Sequence, residues 1–208
     1  MYEFIILAQL MNGAAHGYLI AKIINDMIGP YARLSPGRLY PLLAKLEQNG
    51  LVAADTEVQG DRQLRVYCIT EAGRMRFHLL MRDTGSSPGE YQKLFPYKVC
   101  AFGFITPGER LRLIDHYINY CQAHVFHQQT EMEDMIREAP QYGRSIAPGY
   151  IRMDAYSIES TVNVMQHSID QWQHELDWAR SLRQREINLS TKADMETSEA
   201  VAEHAEKE

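Results

Sequence analysis

Cysteine is scarce in this chain. Cys68, Cys100 and Cys121 are the three in 208 residues, widely spaced and with no C-x-x-C pair. An odd, scattered set of thiols argues against a disulfide framework and fits a reducing compartment. Long apolar runs are missing as well. Nothing approaches the roughly 18 residues that a membrane-spanning helix needs. The first residues lack a signal-peptide pattern, so the expected location is cytoplasmic, with no membrane partner. Enzyme signatures are also wanting: there is no G-x-S-x-G, no Walker loop and no H-E-x-x-H, and Gly103 and Gly108 fit no dinucleotide fingerprint. The chain is therefore expected not to be an enzyme and to carry no cofactor.

Positive charge is in deficit overall, at a net −6, but the deficit is not evenly spread. Residues 1–82 hold nine lysines and arginines against seven acids, whereas residues 83–208 hold twelve against twenty. A weakly basic head on an acidic body is compatible with nucleic acid, since only the contacting face must be positive.

What is present begins with a densely marked helix at residues 35–51. Ser35 suits the N-cap, Pro36 the first helical position and Gly50 a left-handed stop. Leu39, Leu42, Leu43 and Leu46 share one face at helical spacing. Pro41 is close enough to the start to cost few hydrogen bonds. Two helices precede it: Tyr2 to Met11, and His16 to Ile28 with a stripe of Leu19, Ile20, Ile23, Ile24 and Met27, closed by Gly29-Pro30. Leu51 to Asp55 and Leu64 to Ile69 read as antiparallel strands, with Thr56 to Gln63 as a polar wing turning at Gly60-Asp61. Thr70 then caps a fourth helix running to about Arg82. Three helices, a hairpin and a closing helix make a winged helix-turn-helix.

The residues that carry a resemblance are now in view: His16-Gly17-Tyr18, Gly37-Arg38-Leu39-Tyr40-Pro41-Leu42-Leu43, Leu46-Glu47-Gln48-Asn49-Gly50-Leu51-Val52 and Tyr67-Cys68-Ile69-Thr70-Glu71-Ala72-Gly73. Together they resemble the PadR family of bacterial transcriptional regulators over roughly residues 4–80. The second half resembles the longer helical region of the larger PadR subgroup by length and pattern. The resemblance implies a homodimeric repressor on a palindromic double-stranded operator, responsive to a small phenolic or hydrophobic effector. A transcriptional activator of the same fold, or a winged-helix protein-interaction module without specific DNA binding, stands as the alternative.

One helix enters a major groove, and residues near its start reach base edges. Ser35, Arg38 and Tyr40 are the candidates, with Arg38 suited to bidentate pairing with guanine. Lys45 is placed on phosphate, and Arg62, Gln63 and Arg65 of the wing on a flanking minor groove or backbone. Tyr40 has a second reading as helix-turn-helix packing with only its hydroxyl exposed. Tyr67 is read as core, and His16-Gly17-Tyr18 as a structural turn entering a helix.

The second half reads as an assembly device. Thr106-Pro107-Gly108-Glu109 is a capping box that starts a long helix with the stripe Ile114, Ile118, Cys121, Val125, Gln128, Met132 and Met135. A second long helix carries an a/d seam through Ala155, Ile158, Val162, Met165, Ile169, Trp172, Leu176 and Ala179. Its middle, Ile158 to Leu176, is the expected dimer contact, with an intrachain helical hairpin as the alternative. Phe95, Tyr97, Phe102 and Trp172 are candidates for an effector pocket, against a reading as plain packing. His124, His127 and Glu131, and likewise His167 and His174, have helical spacing but too few convergent ligands, so no metal is expected. The expected class is mainly α. A winged helix-turn-helix DNA-binding domain at 1–83, with a two-stranded wing, leads through a linker and junction at 84–105 to a long-helix dimerisation domain at 106–189. A disordered or loosely helical acidic tail at 190–208 ends the chain.

Overall fold

The computed structural model describes residues 1–28, 34–59, 62–85, 88–142 and 154–205, and no side chain is described for residues 28, 58–59, 62–63, 138–142 or 193–205. The chain divides into two compact units, Met1–Ile105 and Thr106–Glu208. Among the described residues no helix is long and apolar enough to cross a membrane.

The first unit opens with α1 (Tyr2–Met11), whose Phe4, Ile5, Ile6, Leu7 and Leu10 are all buried. A helix apolar around most of its circumference has to sit at the centre of a core. Each of those side chains contributes about 1.5–3 kcal/mol by leaving water. A two-residue strand, β1 (Ala15–His16), leads into α2 (Gly17–Ile28), whose Ile20 and Ile24 are buried. Then come α3 (Pro36–Gln48), β2 (Val52–Gln59), β3 (Arg62–Ile69) and α4 (Glu71–Arg82). The strands form one antiparallel sheet in the order β1-β3-β2. Val52 pairs with Ile69 at its base and Gln59 with Arg62 near the tip, while Ala15 and His16 pair with Tyr67 and Val66.

Within residues 1–83 three details depart from the sequence expectation. The sheet has a third strand, since two residues are too few for alternation to show and Ala15–His16 is recruited only because β3 offers it a free edge. The wing is strand to Gln59 rather than loop from Thr56, because ladder hydrogen bonds satisfy a polar backbone as readily as an apolar one. Ser35 occupies the N-cap but makes no side-chain cap bond; its carbonyl accepts from the amides of Arg38 at 2.9 Å and Leu39 at 3.0 Å. The expected turns at Gly29-Pro30 and Gly60-Asp61 lie outside the described residues.

Other local signals translate directly. At the end of α3, Gly50 takes φ +69°, with its own amide donating to Glu47 and the Leu51 amide to Leu46, each at 2.9 Å. That pair of bonds is a Schellman ending, and it turns the chain straight into β2. At the start of α4 the Thr70 hydroxyl accepts the Gly73 amide at 3.0 Å and donates to the Gly50 carbonyl at 2.6 Å.

Residues 84–105, expected as linker and junction, contain α5 (Tyr91–Cys100) between two short 3-10 turns, Pro88–Glu90 and Phe102–Phe104. Its Phe95 is fully buried, and Phe104 meets Phe77 edge-on at 5.8 Å. Lys98, also fully buried, donates to the carbonyls of Met81 and Asp83 at the end of α4, so α5 stays with the first unit. Burial lowers its pKa from 10.5 to about 8, against a smaller opposing pull from Asp83.

The second unit is an antiparallel pair, α6 (Pro107–Tyr142) and α7 (Ala155–Ala205). The box at Thr106 forms: its amide and hydroxyl each donate to Glu109 at 3.0 Å, and the Glu109 amide returns to the hydroxyl at 3.3 Å. Ile114, Tyr117, Cys121 and Val125 of α6 and Ile169, Leu176, Ala179 and Leu182 of α7 are buried. Arg110 pairs with Glu186 at 3.3 Å, Asp115 with Arg183 at 2.6 Å, and the Tyr117 hydroxyl donates to Glu175 at 2.8 Å. As numbers rise on one helix they fall on the other, which fixes the antiparallel sense. The backbone of α7 runs on to Ala205, through most of the segment expected as a tail, where alanine, glutamate and lysine favour helix.

Candidate nucleic-acid interface

The surface in question is built on α3. Its Leu39, Leu43 and Leu46 face the core, so the helix presents Ser35, Gly37, Arg38, Tyr40, Pro41, Ala44, Lys45 and Gln48 outward, all exposed. At 100° per residue these separate into three strips. Gly37, Pro41, Ala44 and Gln48 form a slim centre. Arg38 and Lys45, seven residues apart, line one flank; Tyr40 and Glu47 line the other. A centre without bulk lets a backbone approach closely, while the flanks hold the chemistry.

Position and angle of α3 are set by α2. The Asn25 side-chain oxygen accepts the Leu34 amide at 2.7 Å, and its amide nitrogen donates to the Leu34 carbonyl at 3.3 Å. The side chain thereby stands in for a backbone strand across the turn. Gly17 fixes the other end, because a Cβ there would lie 3.0 Å from Cε1 of Tyr40 and 3.4 Å from its hydroxyl oxygen. The Tyr40 ring lies against Gly17, yet 48% of the residue remains exposed, more than a packed ring with only its hydroxyl free would leave.

Arg38 is exposed, with its guanidinium 5.9 Å from the Tyr2 ring centre. Lys45 rims an open groove of about 400 Å³ with Glu3, Leu42, Asn49 and Arg76, and Arg76 is already tied to Glu3 at 2.8 Å. Arg65 differs from these two. One of its guanidinium nitrogens lies 2.8 and 2.9 Å from the two carboxylate oxygens of Glu47, and the group sits 5.6 Å from the Tyr67 ring centre. Its charge is committed to α3. The side chains of Arg62 and Gln63 lie outside the described residues. Tyr67 is buried, and burial raises its hydroxyl pKa, as expected of a neutral core phenol.

Two exposed residues escaped the sequence reading. Tyr18, expected as part of a structural turn, is 77% exposed at the start of α2, next to the Gly17 that meets Tyr40. The signal was available: Ile20 and Ile24 define the buried stripe, and Tyr18 falls nearly opposite it. Gln48, also exposed, sits at the far end of the central strip, where α3 ends.

The other expected groups fall in both units. Phe95 and Phe102 are core, and Tyr97 lines a cavity of about 40 Å³ with Phe4, Gln9, Met27, Cys100 and Phe104. Trp172 belongs to the second unit and stacks on His124 at 4.0 Å with the rings 6° apart. Burial, then the nearby His127, lowers the His124 pKa, which favours the neutral imidazole in the stack. On the seam, Ile169 and Leu176 are buried, while Ile158, Val162, Met165 and Trp172 are half-buried. The intrachain hairpin therefore accounts for its C-terminal half. His127 approaches Glu131 at 3.9 Å, and among the described residues no three potential metal ligands converge.

Comparison with known proteins places this surface in context. Residues 6–79 match the transcriptional regulator PadR-like family. The chain is 50% identical over 69 residues to the transcriptional regulator Rv3488 of Mycobacterium tuberculosis, covering 33% of this chain and 62% of that protein. It is 27% identical over 77 residues to the negative transcriptional regulator PadR of Bacillus subtilis, covering 36% of this chain and 42% of that one. The chain thus spans less than two thirds of either relative. The structure of Bacillus subtilis PadR in complex with operator DNA aligns over 88% of this chain and 96% of its own, with 18% identity and a TM-score of 0.39.

Proposed function

Because residues 6–79 form a domain of the PadR-like family of transcriptional regulators, we propose that this chain is a sequence-specific DNA-binding repressor acting as a homodimer. The observation that carries the reading is the outward face of α3, where a slim centre is flanked by Arg38 and Lys45 on one side and Tyr40 on the other. Arg38 reads guanine, and Ser35 and Tyr40 contact a base or phosphate beside it. Lys45 neutralises phosphate and adds affinity without sequence information. Tyr18 and Lys22, one turn apart on the exposed side of α2, take the adjoining backbone.

Pairing of two heads is supported by what the hairpin leaves uncovered. Phe126, Ile136, Tyr156 and Val164 are 71%, 53%, 79% and 65% exposed on this helical pair, apolar side chains of the kind that an interface covers. A dimer through these residues would align two α3 helices on a palindrome about one DNA turn apart. Repression follows from occlusion, which requires no contact beyond the operator. For regulation the same reading assigns a small aromatic effector to the cavity beside Tyr97. That cavity must expand on binding, since its 40 Å³ is well below the roughly 150 Å³ that admits benzene.

The test is binding of the purified chain to a labelled fragment of its own upstream DNA, titrated with salt and competed by random DNA. Specific binding at two protomers per site supports the reading. Loss of all binding to random competitor there, and failure to enrich any sequence from a random pool, would overturn it in favour of a winged helix used for protein contacts.

A further inference from the structure

The wing carries a cation that already has a partner on α3. Arg65 holds both carboxylate oxygens of Glu47 at 2.8 and 2.9 Å and lies over the ring of Tyr67, two residues along the same strand. Glu47 stands on the Tyr40 flank of α3, seven residues further on, so the pair joins the C-terminal half of the recognition helix to the middle of the wing. Arg65 is opposite Thr56, three rungs short of the Gln59–Arg62 pair near the tip. A two-stranded ribbon is marginally stable by itself, and its free length decides how far its tip swings. With Arg65 held, only the last three rungs are free, roughly 10 Å of ribbon at about 3.3 Å per residue. The buried Tyr67 anchors the strand immediately inboard.

We propose that Arg65 is a positioning residue, tethering the wing to the recognition helix through Glu47 so that both meet DNA at a fixed spacing, and that it makes no phosphate contact itself. The proposal rests on the DNA-binding reading above for its consequence, but the tether exists in the free protein and is tested there first.

In the full chain, Arg65→Ala and Glu47→Gln are each expected to speed amide exchange in the rungs beyond Thr56–Arg65, measured by NMR, and the swap E47R with R65E to restore protection. Unchanged exchange in both single variants overturns the tether whatever the DNA results. On DNA, each single variant lowers the ratio of affinity for the upstream fragment to affinity for random DNA by up to about five-fold, the ceiling for an exposed ion pair. The double variant is no worse, the swap recovers the ratio, and the slope of log affinity against log salt does not move. A slope flattened by about 0.9 in Arg65→Ala, with Glu47→Gln binding all DNA more tightly, is the signature of a phosphate contact and overturns the proposal. Absence of any preference in the unaltered chain, with exchange responding as described, would sink the DNA-binding reading and leave the tether standing.

Discussion

Gly73→Ala isolates how much of the head depends on one missing methyl group. A Cβ on Gly73 would lie 2.0 Å from the Leu51 carbonyl oxygen and 2.7 Å from Cγ1 of Ile69, where real Cβ atoms stay beyond 3.0 Å. Relief therefore needs a shift of about 1 Å between the first turn of α4 and the start of β2. The atoms that would have to move are bonded to one another. The Leu51 carbonyl accepts the Thr70 amide at 3.1 Å, and the Thr70 hydroxyl bridges the Gly50 carbonyl and the Gly73 amide. Overpacking of this kind costs about 1–3 kcal/mol, and each hydrogen bond lost adds about 0.5–1.5 kcal/mol. Two or three lost bonds bring the total to roughly 4 kcal/mol, a large share of the 5–15 kcal/mol that holds a domain together. The assay is a urea titration of the full chain, following amide signals of residues 6–79 by NMR. Gly103→Ala is the control, since nothing lies within 4 Å of its Cβ, and it is expected to stay within about 0.5 kcal/mol of the unaltered chain. A Gly73→Ala chain within about 1 kcal/mol of the parent would refute the reasoning, because the clash would then be relieved without breaking the Thr70 network.

Lys98 makes stability depend on pH in an uncommon direction. The unfolded chain keeps this proton to pH 10.5 and the folded chain releases it near 8, so stability rises as pH climbs from 8 towards 10. Denaturant midpoints across that window should show the rise, and Lys98→Met should abolish it while lowering stability throughout. Tyr117→Phe removes the 2.8 Å bond to Glu175 inside the hairpin and is expected to cost about 1.5–3 kcal/mol, read from thermal melts. On DNA, Lys45→Ala should weaken all sequences alike and flatten the salt slope by about 0.9, whereas Arg38→Ala should relax preference at one position; identical behaviour of the two variants would contradict the assigned roles.

Most of the head was legible because its instructions are local. As caps, Gly50, Thr70 and the Thr106 box each act on the adjoining turn, and each does in space what its residue type allows, although the Thr70 hydroxyl also reaches the Gly50 carbonyl. The outward face of α3 was legible for the same reason, as the complement of a leucine stripe. What could not be read were facts with a distant partner. Arg65 looks like any wing cation until Glu47, 18 residues away, is found against it. Tyr40 could not be divided between packing and contact without knowing that Gly17 leaves room for its ring. β1 exists only because β3 has an edge to offer. α5 was hidden by Pro96 and by a composition that resembles a junction, and it is held in place by Lys98 reaching back to α4.

The α7 seam shows why periodicity names a face but not its occupant. Steps of three and four state that a stripe must be buried against a helix, and they are equally true whether that helix belongs to the same chain or to a second copy. Here α6 takes Ile169, Leu176 and Ala179, and the burial extends past the apparent end of the repeat, to Leu182 and to Glu186, which Arg110 neutralises. An acid at a buried position ends the pattern for a reader of hydrophobicity, although the helix pair continues through it. Towards the other end the stripe is less enclosed: Ala155 is exposed, and Ile158 and Val162 are half-buried. Tyr156 and Val164 on α7 and Ile136 on α6 are exposed apolar side chains towards that same end, with Phe126 nearer the middle. A dimer that uses this end adds to the hairpin without undoing it. Val164→Asp should therefore shift the chain towards monomer in sedimentation while leaving its helical signal intact, and Leu176→Asp should unfold the hairpin itself. Loss of helix in the first variant, or retention in the second, would reverse the assignment of the two halves.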